Sequence, residues 1–372
     1  MKYYIIAGEA SGDLHGANLM KAIKKLDNGA NFRFWGGDLM NNVSGQLVKH
    51  YKDLAFMGFA EVVMNLRTIL KNLSFCKNDI FNFKPDVLIL IDYPGFNLRI
   101  AKWAKSQNIP VHYYISPQIW AWKENRIRDI KRDVDEMYVI LPFEKSFYED
   151  KHNFPVHFVG HPLIDAIIQR KQIGMDEFRS KNNLNSRPII ALLPGSRKQE
   201  IKKMLKVMLK VADDFPAYQF IIAGAPGQEP EFYDRFLENH EVKIIFNQTY
   251  DLLSMSYAAL VTSGTATLET ALFKIPEVVC YKGNWLSYQI GKRLVKLNFI
   301  SLVNLIMDKE VVTELIQHDF NEKRLKQELR NILDGANREE MFIEYFELEM
   351  KLGGKGASDK TAKLILESIE NH

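Results

Sequence analysis

A carboxylate at the end of a buried strand can take a proton from a hydroxyl, and Asp92 has that setting. It closes "DVLILIDYPGFN" (residues 86–97), in which Val87 to Ile91 are all apolar and Pro94-Gly95 follow. Desolvation at such a position raises a carboxyl pKa toward the range useful for a general base. An Asp that caps the next turn fits the same spacing. A second loop, Gly8-Glu9-Ala10-Ser11-Gly12-Asp13, follows the short apolar run Tyr3 to Ala7. Strand, glycine loop and helix are the parts of a nucleotide-phosphate cradle. Two carboxylates beside a pyrophosphate would repel it, so this loop suits a neutral polyol. Glu9, Ser11 and Asp13 are expected at the same rim as Asp92, with Glu9 and Asp92 the candidate catalytic groups.

The second half of the chain has loops of the opposite character. "ALLPGSRKQEI" runs from an apolar strand through Gly195, Ser196 and Arg197 into a helix. Gly195 lets backbone N–H groups approach an anion, and Arg197 adds a forked cation. A capped helix with a solvated arginine reads the same way. "LVTSGTATLETAL" repeats the logic with Ser263, Gly264 and Thr265, and Thr267 adds a hydroxyl. Glu269 is expected in the first turn of that helix, placed to accept from ribose hydroxyls or to complement the helix dipole. Two anion-type loops in one half assign the nucleotide to that half.

Other stretches carry weaker signals. "SPQIWAWKENRIRDIKRD" joins Trp120 and Trp122 to Lys123, Arg126, Arg128, Lys131 and Arg132, which suits an anionic head group or a plain basic helix. His161 in "GHPLID" stands alone, and "DVD" at Asp133 precedes a strand. Nothing has metal-ligand spacing, so neither metal nor cofactor is expected. In "LAFMGFAEVVMNLRTILKNL", Val62, Val63, Leu66, Ile69 and Leu70 share a face at helical spacing. That face reads either as a buried helix stripe or as an exposed patch for acyl chains.

These loops need strands to carry them. Apolar runs alternate with helical stretches along all 372 residues, the pattern of parallel α/β sheets. Strands are expected at "YYIIAG", "NFRFWGG", "DVLILID", "PVHYYISP", "EMYVILP" and "VHFVGHP", then at "PIIALLPGS", "QFIIAGAP", "VKIIFN", "AALVTSG" and "EVVCY". A polar, Pro-terminated stretch after "LIDAIIQ" marks a boundary, giving domains over 1–170 and 185–340. "DKTAKLILESIENH" predicts a last docked helix. Ligands of such tandem sheets are expected in a cleft at their C-terminal edges. The net charge of +3 excludes a bulk electrostatic pull on nucleic acid. Cys76 and Cys280 imply no disulfide framework, and no apolar run is long enough to span a bilayer. A cytoplasmic protein that touches a membrane surface is the expectation.

Taken in order, "AGEASGDLHGA", "FMGFAEV", "KPDVLILIDYPGFN", "YYISPQIWAW", "LPFEKSFY", "VGHPLID", "LLPGSRKQEI", "SGTATLETAL" and "SLVNLI" resemble the lipid-A-disaccharide synthase family. The resemblance runs from Gly8 to about Ile306. It implies a GT-B fold: two Rossmann-like doubly wound domains facing a cleft, with a C-terminal helix, about 345–372, crossing back to the first domain. It implies UDP-2,3-diacylglucosamine as donor and 2,3-diacylglucosamine 1-phosphate as acceptor. The products would be UDP and a β-1,6-linked disaccharide 1-phosphate, formed with inversion at the cytoplasmic face of the inner membrane. Asp92 matches the family's base, Glu9 and Ser11 its acceptor loop, Arg197 and Ser263 to Thr265 its UDP contacts, and Asn304 a further polar position. Where some members have a second Asp in the "D-x-P-D-F-N" loop, this chain has Gly95. The oligomeric state is open, with room for a homodimer. Two rivals stay open: a UDP-sugar 2-epimerase of the same architecture, and a dinucleotide-binding protein without catalysis, against which Glu9 and Asp13 argue.

Overall fold

Runs of Val, Ile and Leu that are apolar on both faces become strands only where helices cover both sides. The computed structural model describes residues 1–54, 66–237, 240–283 and 298–370, and in them such runs build two parallel sheets. The first contains β1 (Lys2–Ala7), β2 (Asn31–Gly36), β3 (Leu47–His50), β4 (Val87–Ile91), β5 (Val111–Tyr114), β6 (Glu136–Val139) and β7 (His157–Phe158). Its order is β3-β2-β1-β4-β5-β6-β7. The second contains β8 (Ile189–Leu193), β9 (Gln219–Gly224), β10 (Lys243–Phe246), β11 (Ser256–Thr262), β12 (Glu277–Tyr281) and β13 (Glu314–Ile316), in the order β10-β9-β8-β11-β12-β13. Both orders are doubly wound, and each reverses direction at one central pair: β1 with β4, and β8 with β11. The central strands β4 and β8 are buried along their whole length.

The chain divides into two compact units, Met1–Ile168 with Leu352–His372, and Gln169–Lys351. The returning segment is tied into the first unit by polar contacts. Asp165 accepts from Gly356 N at 2.6 Å and from Ser358 N at 3.1 Å, capping the helix Ala357–Glu370. His161 N donates to Leu352 O at 3.0 Å. The last helix then packs on the helix Ala10–Leu26.

The edge strands β3 and β13 have no counterpart in the sequence expectation. They have only four and three residues and are largely half-buried, so their sequences lack a long apolar run.

The helix Leu66–Phe83 is fastened to the first sheet by Asp79. That carboxylate takes a forked pair from Arg33, at 2.8 and 2.6 Å, and a bond from Tyr4 OH at 2.7 Å. Leu73, Cys76 and Ile80 face the core, and Ile69 packs at its border. The expected apolar face is corrected here: Ile69 points to the core while Leu70 is 55% exposed, together with Phe75 and Phe81. Val62, Val63 and the side chain of Leu66 lie outside the described residues. No helix among the described residues is long and apolar enough to cross a membrane.

Candidate active-site residues

In a doubly wound sheet, the loops leaving the two strands at the reversal point splay apart and open a crevice. In the first unit these are the loops after β1 and β4. Ala7 and Ile91 are register partners, so Gly8 and Asp92 emerge side by side. Asp92 and Tyr93 both adopt left-handed backbone, φ 45° and 48°. Burial, with the Glu9 carboxylate second, pushes the Asp92 carboxyl up to about 6. Glu9 and Ser11 are exposed at the start of the helix Ala10–Leu26, and Glu9 makes no cap bond with its side chain. Asp92, Glu9 and Ser11 therefore share one rim.

Asp13 does not join them. Its buried carboxylate accepts from Gly37 N at 2.7 Å, Met40 N at 3.0 Å and Leu39 N at 3.1 Å. It caps the helix Asp38–Ser44, so its three backbone bonds hold a neighbouring segment.

Two further motifs shape this rim. Glu144 accepts from Ser116 Oγ at 2.6 Å and Trp120 Nε1 at 3.2 Å through one oxygen. Its other oxygen takes Leu141 N at 2.9 Å and Ile140 N at 3.1 Å. A buried carboxylate thus moors the loop after β5 at the same sheet edge. Beyond it, Trp122 stays 52% exposed, with Lys123 Nζ 4.3 Å and Arg126 5.7 Å from its ring centroid. His161 is buried and burial pushes its imidazole down to about 3, so it is neutral. Its Nδ1 accepts from Leu163 N.

The second unit holds a cavity of about 420 Å³ at the reversal point of its sheet. Gly195 and Ser196 line it from the β8 loop with Glu200 from the helix Lys198–Ala212, and Ser263 and Gly264 from the β11 loop with Thr265, Ala266 and Glu269 from the helix Thr265–Leu272. Gly195 has φ 106°, a left-handed conformation open to glycine. At the start of the helix Thr265–Leu272 the N–H groups of Thr265 and Ala266 have no acceptor among the described residues and so are free for an anion, whereas Thr267 N donates to Gly264 O at 3.2 Å. Ser263 Oγ already donates to Ile300 O at 2.9 Å, and Thr267 Oγ1 to Gly264 O at 2.8 Å. The Thr267 hydroxyl is therefore internal to the loop, contrary to expectation.

Glu269 lies in the second helical turn, not the first, yet reaches the cavity. It accepts from Tyr250 OH at 2.9 Å, and burial raises its pKa against that bond. Tyr250 and Glu200 also line the cavity, and neither carried a signal in the sequence beyond its proximity to a loop. Arg197 does not line it: the guanidinium is 70% exposed and pairs with Glu200 at 3.3 Å.

Asn304 is fully buried. Its Nδ2 donates to Val312 O at 2.8 Å and Glu314 Oε1 at 2.9 Å. Its Oδ1 accepts from Val311 N at 2.8 Å and Val312 N at 3.0 Å. The amide is saturated by the segment before β13, which makes it a fastener rather than a ligand contact.

Known proteins settle the class. The sequence profile of lipid-A-disaccharide synthetase matches residues 3–366. This chain belongs to that family. Lipid-A-disaccharide synthase of Syntrophus aciditrophicus is 41% identical over 98% of this chain and 97% of its own length. The enzyme of Geobacter sulfurreducens is 37% identical over 98% and 96%, and that of Coxiella burnetii strain CbuG_Q212 38% over 97% and 96%. Family members form a lipid A disaccharide, so the chain is a glycosyltransferase of lipid A biosynthesis. Among solved structures, UDP-GlcNAc 2-epimerase from Neisseria meningitidis superposes with TM-score 0.66 at 15% identity, covering 100% of both chains. The glycotransferase of kitacinnamycin gives 0.63 at 12% identity, covering 98% of both. At such identity the likeness shows the fold alone, a GT-B-like pair of parallel α/β domains.

Proposed function

We propose that this chain transfers the sugar of UDP-2,3-diacylglucosamine to the 6-hydroxyl of 2,3-diacylglucosamine 1-phosphate, with inversion at the donor anomeric carbon. The observation that carries the reading is Asp92, a rim carboxylate raised to about 6 by burial and by Glu9. Such a group is ionised at neutral pH, yet basic enough to take a hydroxyl proton in the transition state. As the acceptor oxygen bonds to the anomeric carbon, its proton passes to Asp92. The bond from that carbon to the β-phosphate oxygen breaks, and its electron pair leaves with UDP. The cavity of the second unit suits UDP: free N–H groups after Gly264 and the Gly195 loop for the diphosphate, Glu269 for the ribose. The Neisseria epimerase of similar fold is described as bound to UDP-GlcNAc, which supports a UDP-sugar there. Arg197 reaches the diphosphate after leaving Glu200.

Both substrates carry acyl chains. Exposed Leu70, Phe75 and Phe81 on the helix Leu66–Phe83, with Trp122 and its two cations, support peripheral contact with the cytoplasmic face of the inner membrane.

Incubation of the protein with the donor, with and without the acceptor, tests the reading. UDP release only when acceptor is present, together with a disaccharide 1-phosphate product, is expected. Release of UDP or of a 2-epimer from donor alone would overturn it.

A further inference from the structure

Asp92 and the bulky Tyr93 after it stand in a backbone conformation that few non-glycine residues adopt in succession. Two consecutive non-glycine residues, Asp92 and Tyr93, have φ of 45° and 48°. Left-handed backbone is uncommon for a non-glycine residue, and two in succession persist only where the surroundings enforce them. Here the enforcement converges on a single atom. The Asp92 carbonyl oxygen accepts from Asn97 Nδ2 at 2.7 Å and from Tyr113 OH at 2.6 Å. Asn97 Nδ2 also donates to Ile91 O at 3.2 Å, and Asp92 N donates to Tyr114 O at 3.1 Å. Both side chains are fully buried. Asn97 Oδ1 has no hydrogen-bond partner among the described residues, so the amide is present for its N–H donors.

An extended residue at position 92 would continue the line of β4 and turn its carbonyl away from both donors. The left-handed pair instead breaks the strand at once and fixes the direction in which the Asp92 side chain leaves the sheet edge. Asn97 comes from the first turn of the helix Pro94–Ser106, and Tyr113 from β5 next door. The clamp thus joins the two elements that flank the loop.

We infer that Asn97 and Tyr113 are positioning residues for the transfer reaction, holding the Asp92 backbone in the left-handed turn that aims its carboxylate at the acceptor hydroxyl. The inference rests on the reading of Asp92 as the base. Both side chains are fully buried and bonded to the Asp92 carbonyl, so both act through Asp92.

Steady-state kinetics of Asn97→Ala and Tyr113→Phe, beside Asp92→Asn, test it on the full-length protein. For the two clamp variants, kcat per folded molecule should fall about 10- to 100-fold, as for a base misaligned by a fraction of an ångström. The acceptor KM and the UDP Kd should stay within about twofold, since uniform binding is untouched. The acid limb of kcat should move down from about pH 6, because a loosened loop admits water around Asp92. Tyr113→Phe keeps the ring and should fold where Asn97→Ala does not. Folded variants with unchanged kcat and an unmoved acid limb would overturn the inference, provided Asp92→Asn is inactive. An active Asp92→Asn would instead remove Asp92 as base, and the positioning role with it.

Discussion

The ring of Tyr93 lies flat against Gly8: a Cβ on Gly8 would come within 2.8 Å of Tyr93 Cδ2 and closer still to two other ring atoms. The glycine that opens the first loop is therefore there for a tyrosine, not for a phosphate. This contact brings the Glu9 loop and the Asp92 loop together, and Tyr93 completes it by stacking on Phe96. Gly8→Ala is expected to destabilise the protein by about 1–3 kcal/mol and to cut turnover, because ring and loop must part. Adding Tyr93→Ala should recover part of the stability but not the turnover. Additive losses in denaturant melts of the double variant would show that the contact is not coupled.

Asp92→Asn should abolish turnover while UDP still binds, and it should also make the protein more stable. The carboxyl has a folded pKa of about 6 against an ordinary 3.8. Its contribution is complete below pH 4 and is lost as pH rises through about 6, since the unfolded chain releases the proton first. At pH 8 the asparagine variant should gain on the order of 2–3 kcal/mol. Thermal melts at pH 4 and pH 8 check this: the gap between variant and wild type should open only at the higher pH.

Tyr250→Phe removes the bond that opposes the raised pKa of Glu269. With that opposing bond gone the Glu269 pKa moves further up, so UDP affinity should drop by up to roughly fivefold, about 1 kcal/mol for one charge-assisted bond, and more at pH 5.5 than at pH 8.5. Calorimetric titration with UDP at both values reads it, and an equal deficit at the two would separate Glu269 from the ribose.

Asp165→Ala should loosen the last helix. Two backbone N–H groups, of Gly356 and Ser358, lose their acceptor. A cap of this kind is worth about 1–2 kcal/mol. Hydrogen exchange should rise in residues 357–370 before it rises in the sheets. Uniform protection across the chain would show that other contacts hold the helix.

Glu277 opens β12 in the core of the second unit, fully buried, with no partner for either carboxylate oxygen among the described residues. Burial pushes its pKa well up, which favours the neutral form. A lone polar group in that position costs about 1–3 kcal/mol. Glu277→Met should raise stability by that order at neutral pH and remove a decline with rising pH, as replacement of buried charge by packing does. Denaturant midpoints from pH 5 to 8 measure it.

The central strands and their loops were legible because a doubly covered strand must be apolar throughout, as β4 and β8 are. Asp92 was legible for the same reason, since a carboxylate that ends such a strand stands out. The places of Asp13 and Asn304 are not legible in the sequence because their partners are invisible locally. Asp13 caps a helix more than twenty residues away, and Asn304 is filled by Val311, Val312 and Glu314. A polar side chain in a ligand loop and one that fastens a neighbouring segment have the same letter. Asn97 and Tyr113 escaped notice for the opposite reason. Their role lies in a main-chain oxygen and a dihedral angle, neither of which has a residue type.

The first unit is assembled from both ends of the chain, Met1–Ile168 and Leu352–His372. During synthesis its sheet emerges from the ribosome first, but Asp165 must wait for Gly356 and Ser358 until all of Gln169–Lys351 has been made. The surface of the helix Ala10–Leu26 stays bare through that interval, while the second unit is made and folds in between. The half born earliest is thus the half completed last, and a nascent chain stalled before residue 352 would carry an uncovered apolar flank for chaperones to shield.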